Sequence, residues 1–510
     1  MKAKVTEDGK FLHIYEYTKQ EIDQIRFSFK RRIQNWRFHP LCKRKVWDGF
    51  ISFIDKYNRI PVGLWNELNL ICKKFDIELH IDNFNVIIDT EITHEEFETW
   101  VWDFFKDHPK HGKGKSKEIR DYQIASAFNI LKFKRSSSEI ATSAGKTLMI
   151  FMVFAYLMEK KKANRLMIVV PNTSLILQTM EDFEDYNSHK RLKYKIQPIH
   201  GGTDKRKTDT ECIIGTFQSL VKRDEEWLSG IDAVCVDEAH YTNAKSVKDI
   251  IAKSNDICYS FGLSGTLKKQ EESADHFTIQ AYLGPFVNDI SANFLIKNDY
   301  ATKVYVKVVR MNYLDIEIKQ KLRSLRERKQ EFEGSELLNL EKRVVIDNRQ
   351  RFNYVVDFIS RTTKNSLILF ADVKYGYGRK IYDWLRNNTD KEVYYVDGGT
   401  DIKLRERYFE KMENDENVLL VASFGTLSTG ISINNIFNIF LLESYKSDRI
   451  IRQTIGRGMR LHELKDRVTI FDFVDDFTYG DENYLLKHGK ERIKTYKAQK
   501  FPYKIYSVSF

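Results

Sequence analysis

Short runs of consecutive apolar residues recur along this chain, each far enough from the next for a helix to lie between them. The first series is Leu166–Met167–Ile168–Val169–Val170, Cys212–Ile213–Ile214, Ala233–Val234–Cys235–Val236 and Tyr259–Ser260–Phe261–Gly262–Leu263. After a charged helical stretch from Ile316 to Ile346 comes a second series. It comprises Ser366–Leu367–Ile368–Leu369–Phe370, Val393–Tyr394–Tyr395–Val396, Val418–Leu419–Leu420–Val421, Ile439–Phe440–Leu441–Leu442 and Val468–Thr469–Ile470–Phe471. A strand apolar on both faces must be covered on both faces, and a parallel sheet flanked by its crossover helices does this. The chain is therefore expected to be an α/β protein with two parallel-sheet domains. His200–Gly201–Gly202 and Asp397–Gly398–Gly399 each follow a strand in their own half, an echo that points to related halves.

At 510 residues the chain has room for about three domains of ~150 residues each. Residues 1–90 read as a separate small basic α+β unit, 91–117 as a helix and linker, 118–300 and 301–485 as the two sheet domains, and 486–510 as a basic C-terminal tail. No apolar run reaches the ~20 residues of a membrane span, and the polar start Met1–Lys2–Ala3–Lys4 is no secretion signal, so a cytoplasmic protein is expected. Cys42, Cys72, Cys212, Cys235 and Cys258 form no C-x-x-C pair, which argues against a zinc ribbon or a disulfide framework.

The net charge is +11, which invites a polyanion. In the N-terminal unit, Thr18 and Glu21 form a capping box, after which Ile22, Ile25, Phe29, Ile33 and Trp36 share one helical face. Arg31, Arg32, Lys43, Arg44 and Lys45 then crowd around Trp36, Phe38 and Trp47. Cations for phosphates beside rings for stacking suit nucleic acid; the other reading is a solvated basic face over core aromatics. Phe50–Ile51–Ser52–Phe53–Ile54 alternates as a strand. A second capping box, Thr93 with Glu96, opens a helix that carries Phe97, Trp100, Val101 and Phe104, before the basic linker Lys110–Lys117.

Two stretches carry chemistry. Ile140–Ala141–Thr142–Ser143–Ala144–Gly145–Lys146–Thr147 runs into the helical pattern from Leu148. A loop feeding a helix N-terminus aims backbone N–H groups at an anion. Lys146 is placed for β- and γ-phosphates and the Thr147 hydroxyl for Mg²⁺. The full phosphate-loop pattern wants Gly at position 140, where this chain has Ile. Downstream, Asp237–Glu238–Ala239–His240 ends a buried strand, where ligands of parallel sheets bind. Asp237 is placed to hold the metal and Glu238 to orient and deprotonate water.

The phosphate loop, Asp-Glu-Ala-His, Ser264–Gly265–Thr266 and Gln453–Thr454–Ile455–Gly456–Arg457–Gly458–Met459–Arg460 occur in the order found in superfamily 2 helicases. Residues 118–480 resemble that family, and the whole chain resembles its bacteriophage recombination and repair members. The resemblance implies two RecA-like domains, with ATP and Mg²⁺ as cofactors. It assigns Arg120, Tyr122 and Gln123 to adenine, and Thr142, Ser143, Ala144, Gly145, Lys146 and Thr147 to the phosphates. His240 couples nucleotide to the rest of the machine. Gln453, Arg457 and Arg460 reach the γ-phosphate. Pro171, Asn172, Thr173, Gly215, Thr216, Gly398, Thr426 and Gly430 correspond to positions that track a strand by its backbone.

The implied partners are branched or partly single-stranded DNA, RNA–DNA hybrids, and recombination or single-strand-binding proteins; the implied state is a monomer or weak oligomer. It also implies 3′→5′ polarity and, for a phage-encoded chain, the host cytoplasm. Two other functions fit the same sequence: an annealing protein for which ATP is only a clamp, and a duplex translocase that separates no strands. Opening duplex costs ~1.4 kcal/mol per step, which strand binding can offset once but not repeatedly without fuel.

Overall fold

A computed structural model describes residues 1–33, 36–106, 118–203, 206–239, 244–254, 256–267, 274–327, 334–371, 373–427, 433–443, 445 and 447–510. The chain divides into two compact units, Met1–Ile290 and Ser291–Phe510.

The first unit opens with six short strands: β1 (Lys2–Val5), β2 (Phe11–Tyr15), β3 (Lys30–Arg32), β4 (Phe50–Ser52), β5 (Arg59–Pro61) and β6 (His80–Asp82). Four form a mixed sheet in the order β5-β2-β1-β6, and β3 and β4 form an antiparallel ribbon. The Thr18–Glu21 capping box is present, on helix Lys19–Ser28. The expected helical face does not continue to Trp36. The Phe29 carbonyl accepts from Phe53 N–H (3.0 Å) and Ile33 N–H donates to Gly49 (2.9 Å), so cross-chain pairing wins over helical propensity. The core of this unit includes Leu12, Ile14, Ile25 and Phe29, and it continues onto Phe277 and Ala281 of helix Ala274–Leu283. A Cβ on Gly63 would lie 2.2 Å from the Gln280 carbonyl, so only glycine permits this approach.

Seven strands follow: β7 (Arg135–Ile140), β8 (Leu166–Val170), β9 (Ile196–Ile199), β10 (Cys212–Thr216), β11 (Ala233–Asp237), β12 (Tyr259–Ser264) and β13 (Phe286–Ile290). They form an all-parallel sheet, β9-β10-β8-β11-β12-β7-β13. Helix Lys146–Glu159 is buried at every position from Leu148 to Leu157, as expected of a helix apolar all round. Helix His94–Phe105 opens on the Thr93–Glu96 box, and its Phe97 and Trp100 stand edge-on to Tyr156 of that buried helix. The linker from Lys110 to Lys117 lies outside the described residues.

The second unit has β14 (Lys303–Asn312), β15 (Ser366–Phe370), β16 (Val393–Val396), β17 (Leu419–Ser423), β18 (Asn438–Leu441), β19 (Arg467–Asp476) and β20 (Tyr503–Ser509). They also form an all-parallel sheet, β16-β17-β15-β18-β19-β14-β20. Each strand here takes the place of the strand seven numbers earlier, so the two RecA-like sheets share one topology. Residues 486–510 are not a tail. They complete helix Tyr484–Ala498 and the edge strand β20. Glu341 accepts from the first-turn N–H groups of Tyr484 (3.1 Å) and Leu485 (3.0 Å), and Arg492 binds Asp472 (2.7 Å), which fixes the helix on the sheet.

Candidate functional site

In the first sheet β7, β12 and β11 are neighbours, so the segments leaving their carboxyl ends converge. The loop after β7 runs through Ser143 (φ +71°) and Gly145 (φ +85°) into helix Lys146–Glu159. Its turn is held from outside. The Tyr122 hydroxyl and the Gln123 side-chain amide both donate to the Ala144 carbonyl, at 3.0 and 2.9 Å. Gln123 also accepts from Arg120 N–H (3.0 Å), and the Arg120 guanidinium donates to the Tyr122 hydroxyl (3.4 Å). A Cβ on Gly145 would fall 2.3 Å from the Gln123 amide nitrogen, on top of a positive φ that L-residues avoid. Arg120, Tyr122, Gln123, Ala144 and Gly145 are thus one assembly, and Thr142 and Ser143 lie in the loop it shapes.

The Lys146 ammonium is bonded to the Glu238 carboxylate. Asp237 is buried, with its carboxylate accepting from Glu238 N–H (2.9 Å). Burial raises the Asp237 carboxyl, Lys146 pulls it down and Glu238 pushes it up again; the net shift is upward. Two carboxylates held together against their mutual repulsion are poised for cations. Glu238 holds φ at +50°, a strained conformation for a glutamate of the kind that concentrates at functional sites. Thr147, next to Lys146 on the helix, and Asp237 offer hard oxygen donors of the type Mg²⁺ takes, so the donor set fits that ion. From β12, Ser264 Oγ accepts from Thr266 N–H (3.3 Å), and the Cβ position of Gly265 lies 3.8 Å from Thr142 N. His240 lies outside the described residues.

The other half of the sheet carries the expected tracking positions. Pro171 follows β8, and Asn172 caps helix Thr173–Tyr186 by accepting from Leu175 N–H (3.0 Å). Gly215 and Thr216 end β10; a Cβ on Gly215 would meet Leu220 at 2.9 Å, and the Thr216 hydroxyl donates to Ser219 (3.1 Å). In the second unit, Gly398 follows β16 in a turn stapled by Asp397, and Thr426 follows β17 with its hydroxyl 2.7 Å from that of Ser423. Gly430 lies outside the described residues. Gln453 and Arg457 lie on helix Asp448–Gly458, and Arg460 just beyond it, all three half-buried.

The basic residues of the N-terminal unit separate into two kinds. The Arg31 guanidinium lies over the Phe277 ring at 3.9 Å, an internal contact. Arg32 is exposed and sandwiched between Trp36 (4.1 Å) and Phe50 (4.3 Å), and Lys43, Arg44 and Lys45 are exposed around it. Phe38 and Val46 stand out from this surface at 73% and 72% exposure, which no core reading of them survives.

Sequence reading missed Thr302 and Lys465. Both bond to the end of helix Asp448–Gly458, and neither sits in a motif.

Among the described residues no helix is long and apolar enough to cross a membrane, and no cluster of three or more His, Cys, Asp or Glu forms a metal cage. Residues 116–269 match the family model described as type III restriction enzyme, res subunit, and residues 350–462 match the helicase conserved C-terminal domain. The chain is 30% identical to the ATP-dependent DNA helicase uvsW of enterobacteria phage T4 over 98% of this chain and 99% of that protein. The crystal structure of T4 UvsW aligns over 100% of both chains with a TM-score of 0.50 and 28% identity. Dbp5 of S. cerevisiae, solved with RNA and ADP BeF3, shares the fold at a TM-score of 0.52 and 14% identity over 78% of this chain and 90% of its own. With a relative of 30% identity spanning nearly all of both chains, and with the phosphate loop and the Asp-Glu pair at the ends of β7 and β11, the two strands that flank β12, this chain belongs to the superfamily 2 helicases, the family of T4 UvsW, and is an ATP-dependent helicase.

Proposed function

We propose that the protein is a DNA-stimulated ATPase that unwinds or remodels branched DNA, namely replication forks, Holliday junctions and R-loops, in recombination, repair and replication, with 3′→5′ polarity. The observation that carries the hydrolytic half is the Lys146–Glu238 bond beside buried Asp237. The DNA half is supported by the identity to a DNA helicase of phage T4 and by the exposed basic and aromatic surface of the N-terminal unit.

In this reading the phosphates replace Glu238 as the partner of Lys146, assisted by N–H groups at the start of helix Lys146–Glu159. That exchange releases Glu238 to orient water and take its proton. Thr147 and Asp237 would hold Mg²⁺, which would supply positive charge to offset that on the phosphate oxygens. Arg120, Tyr122 and Gln123 read adenine, and His240 couples the nucleotide to the rest of the machine. Gln453, Arg457 and Arg460 act on the γ-phosphate, where a cation is worth most as charge develops. Pro171 to Thr173, Gly215, Thr216, Gly398, Thr426 and Gly430 follow the strand through its backbone, contacts that ignore sequence.

The N-terminal surface grips duplex at the branch. Arg32, Lys43, Arg44 and Lys45 meet phosphates, and Phe38 and Val46 wedge against exposed base steps. Deleting residues 1–90 is a poor test, since it bares Phe277 and Ala281. Phe38→Ala with Val46→Ser, on an exposed surface, keeps the core intact. This pair should weaken branched-DNA binding by ~10-fold, at ~1–3 kcal/mol per stacked contact, in a titration at fixed salt. Unchanged affinity sinks the grip.

The decisive experiment measures ATP hydrolysis with and without a branched DNA. Strong stimulation is expected. Hydrolysis indifferent to DNA replaces the motor with an annealing clamp, and stimulation without any strand separation on a tailless junction replaces it with a translocase.

A further inference from the structure

An α-helix ends with carbonyls that have no donor within the helix. Where helix Asp448–Gly458 ends, the carbonyls of its last residue, its cap Met459 and the next residue, Arg460, are all taken from outside. The Gly458 carbonyl accepts from the Lys465 ammonium at 3.1 Å, that of Met459 from the Thr302 N–H at 2.8 Å, and that of Arg460 from the Thr302 hydroxyl at 2.9 Å. Lys465 also donates to the Asn434 carbonyl at 2.7 Å. Asn434 in turn is fixed to the Glu413 carboxylate, through its N–H (2.6 Å) and its side-chain amide (2.9 Å). A Cβ on Gly458 would lie 2.9 Å from both Ile439 and Val468, so the helix end is also pressed onto β18 and β19.

We propose that Lys465 and Thr302 are positioning residues for ATP hydrolysis, a two-point latch that holds the helix end from which Arg457 and Arg460 project. The inference rests on the reading above that these arginines serve the γ-phosphate. Arg457 lies within the last turn and Arg460 two residues past it, so any fraying here displaces both guanidiniums. A solvent-exposed lysine caps a helix end with little desolvation cost. Lys465 is instead 6% exposed and bonded to two carbonyls, with no carboxylate among the described residues in direct contact, an arrangement that opposes its charge. Burial brings its ammonium down to about 7, against the pull of Glu413 on helix Ile402–Asn414 and with the help of Arg460, the charged groups that face it. Above that pH the amine is neutral and its hydrogen bonds lose their charge assistance, so the latch loosens as pH rises.

The test uses the full chain and compares Lys465→Met, Lys465→Arg and Thr302→Val with Arg457→Ala and Arg460→Ala. Lys465→Met and Thr302→Val should each lower kcat for DNA-stimulated hydrolysis by ~10-fold while KM for ATP stays within ~2-fold, the mark of a group that acts on the transition state. Their melting temperatures should stay within ~3 °C of the native chain. The native kcat should fall as pH rises through about 7, and Lys465→Arg, charged throughout, should remove that fall. Normal kcat in both latch variants overturns the proposal, as does a loss of kcat that tracks a loss of melting temperature. If Lys465→Met does not fold, Thr302→Val decides alone, since it removes a single hydroxyl. Full activity in both arginine variants would show that the underlying reading has failed; inactive arginine variants beside normal latch variants would show that only the latch has.

Discussion

The two seven-stranded sheets have the same strand order, yet the same corner of each is used differently. In the first, β11 ends in Asp237 and leads into Glu238, which is bonded to Lys146. In the second, the matching strand β18 leads into Leu442 and Glu443. Glu443 is buried and accepts the backbone N–H of Ala371, just past β15. The Leu442 carbonyl accepts from Arg351 (2.7 Å), a fully buried guanidinium that also binds Asp475 (2.6 and 3.0 Å) and the Tyr377 hydroxyl (2.5 Å). Burial pulls the Arg351 guanidinium down, but Asp475 pushes it up by more, so the net shift is upward and the charge is held firmly. One corner holds two adjacent carboxylates that repel each other, one of them paired with Lys146. The other holds a buried guanidinium bonded to Asp475, Tyr377 and the Leu442 carbonyl. Topology fixes where a site can form, and the side chains decide whether it becomes one.

The contrast breaks most sharply at the first corner. Lys146→Ala should reduce DNA-stimulated ATP hydrolysis by ~10²–10³-fold or more, the scale of losing a charge-stabilising donor. Glu238→Gln should cost ~10²–10⁴-fold, since an amide takes no proton from water. Because the substituted amide still offers an oxygen to Lys146, this variant should keep the native fold, checked by circular dichroism. Wild-type rates in either variant would mean that the first corner is as structural as the second.

At the second corner the expected loss is stability. Arg351→Met leaves Asp475 buried without its cation, at ~3–5 kcal/mol by urea unfolding of the second unit. Arg351→Met combined with Asp475→Leu should recover more than half of this. It should not recover all, because the Tyr313 hydroxyl also donates to Asp475 (2.8 Å) and loses its acceptor. A single variant that unfolds like the native chain but loses hydrolysis would move Arg351 into the site.

How much of this was legible follows the same division. β8, β11, β15 and β18 could be read because they are apolar on both faces. β7, with Ser136, Ser137 and Ser138 in its middle, could not. All three are buried; Ser137 donates to the Gly284 carbonyl (3.0 Å) and Ser138 accepts from Asn288 (2.9 Å), so at these two positions hydrogen bonds replace apolarity. In sequence β20 and the last helix resemble a tail because their lysines dominate the composition, while Arg492 and the Glu341 cap that hold them are isolated residues. In the first unit, Lys146, Thr147, Asp237 and Glu238 stand out in sequence because their short motifs mark the ends of β7 and β11. Nothing in local sequence ties Thr302 to Arg460, or Glu443 to Ala371, because those pairings exist only once the sheet has formed.

Glu443 gives the smallest effect and the finest test. If its carboxylate serves the frame, as its bond to the Ala371 N–H suggests, Glu443→Gln replaces one acceptor with another of the same shape. Hydrolysis should then change by no more than ~3-fold, and stability by ~1 kcal/mol, the difference between a charged and a neutral acceptor. The matched change Glu238→Gln, at the corresponding strand end of the other sheet, carries the large effect. Measured side by side under saturating DNA, the two substitutions differ in neither chemistry nor topology, only in what each carboxylate faces. A large kcat effect from Glu443→Gln would mean that the second sheet has kept a catalytic carboxylate at the corner its buried arginine occupies. An effect confined to stability assigns that carboxylate to the frame that carries Arg457 and Arg460.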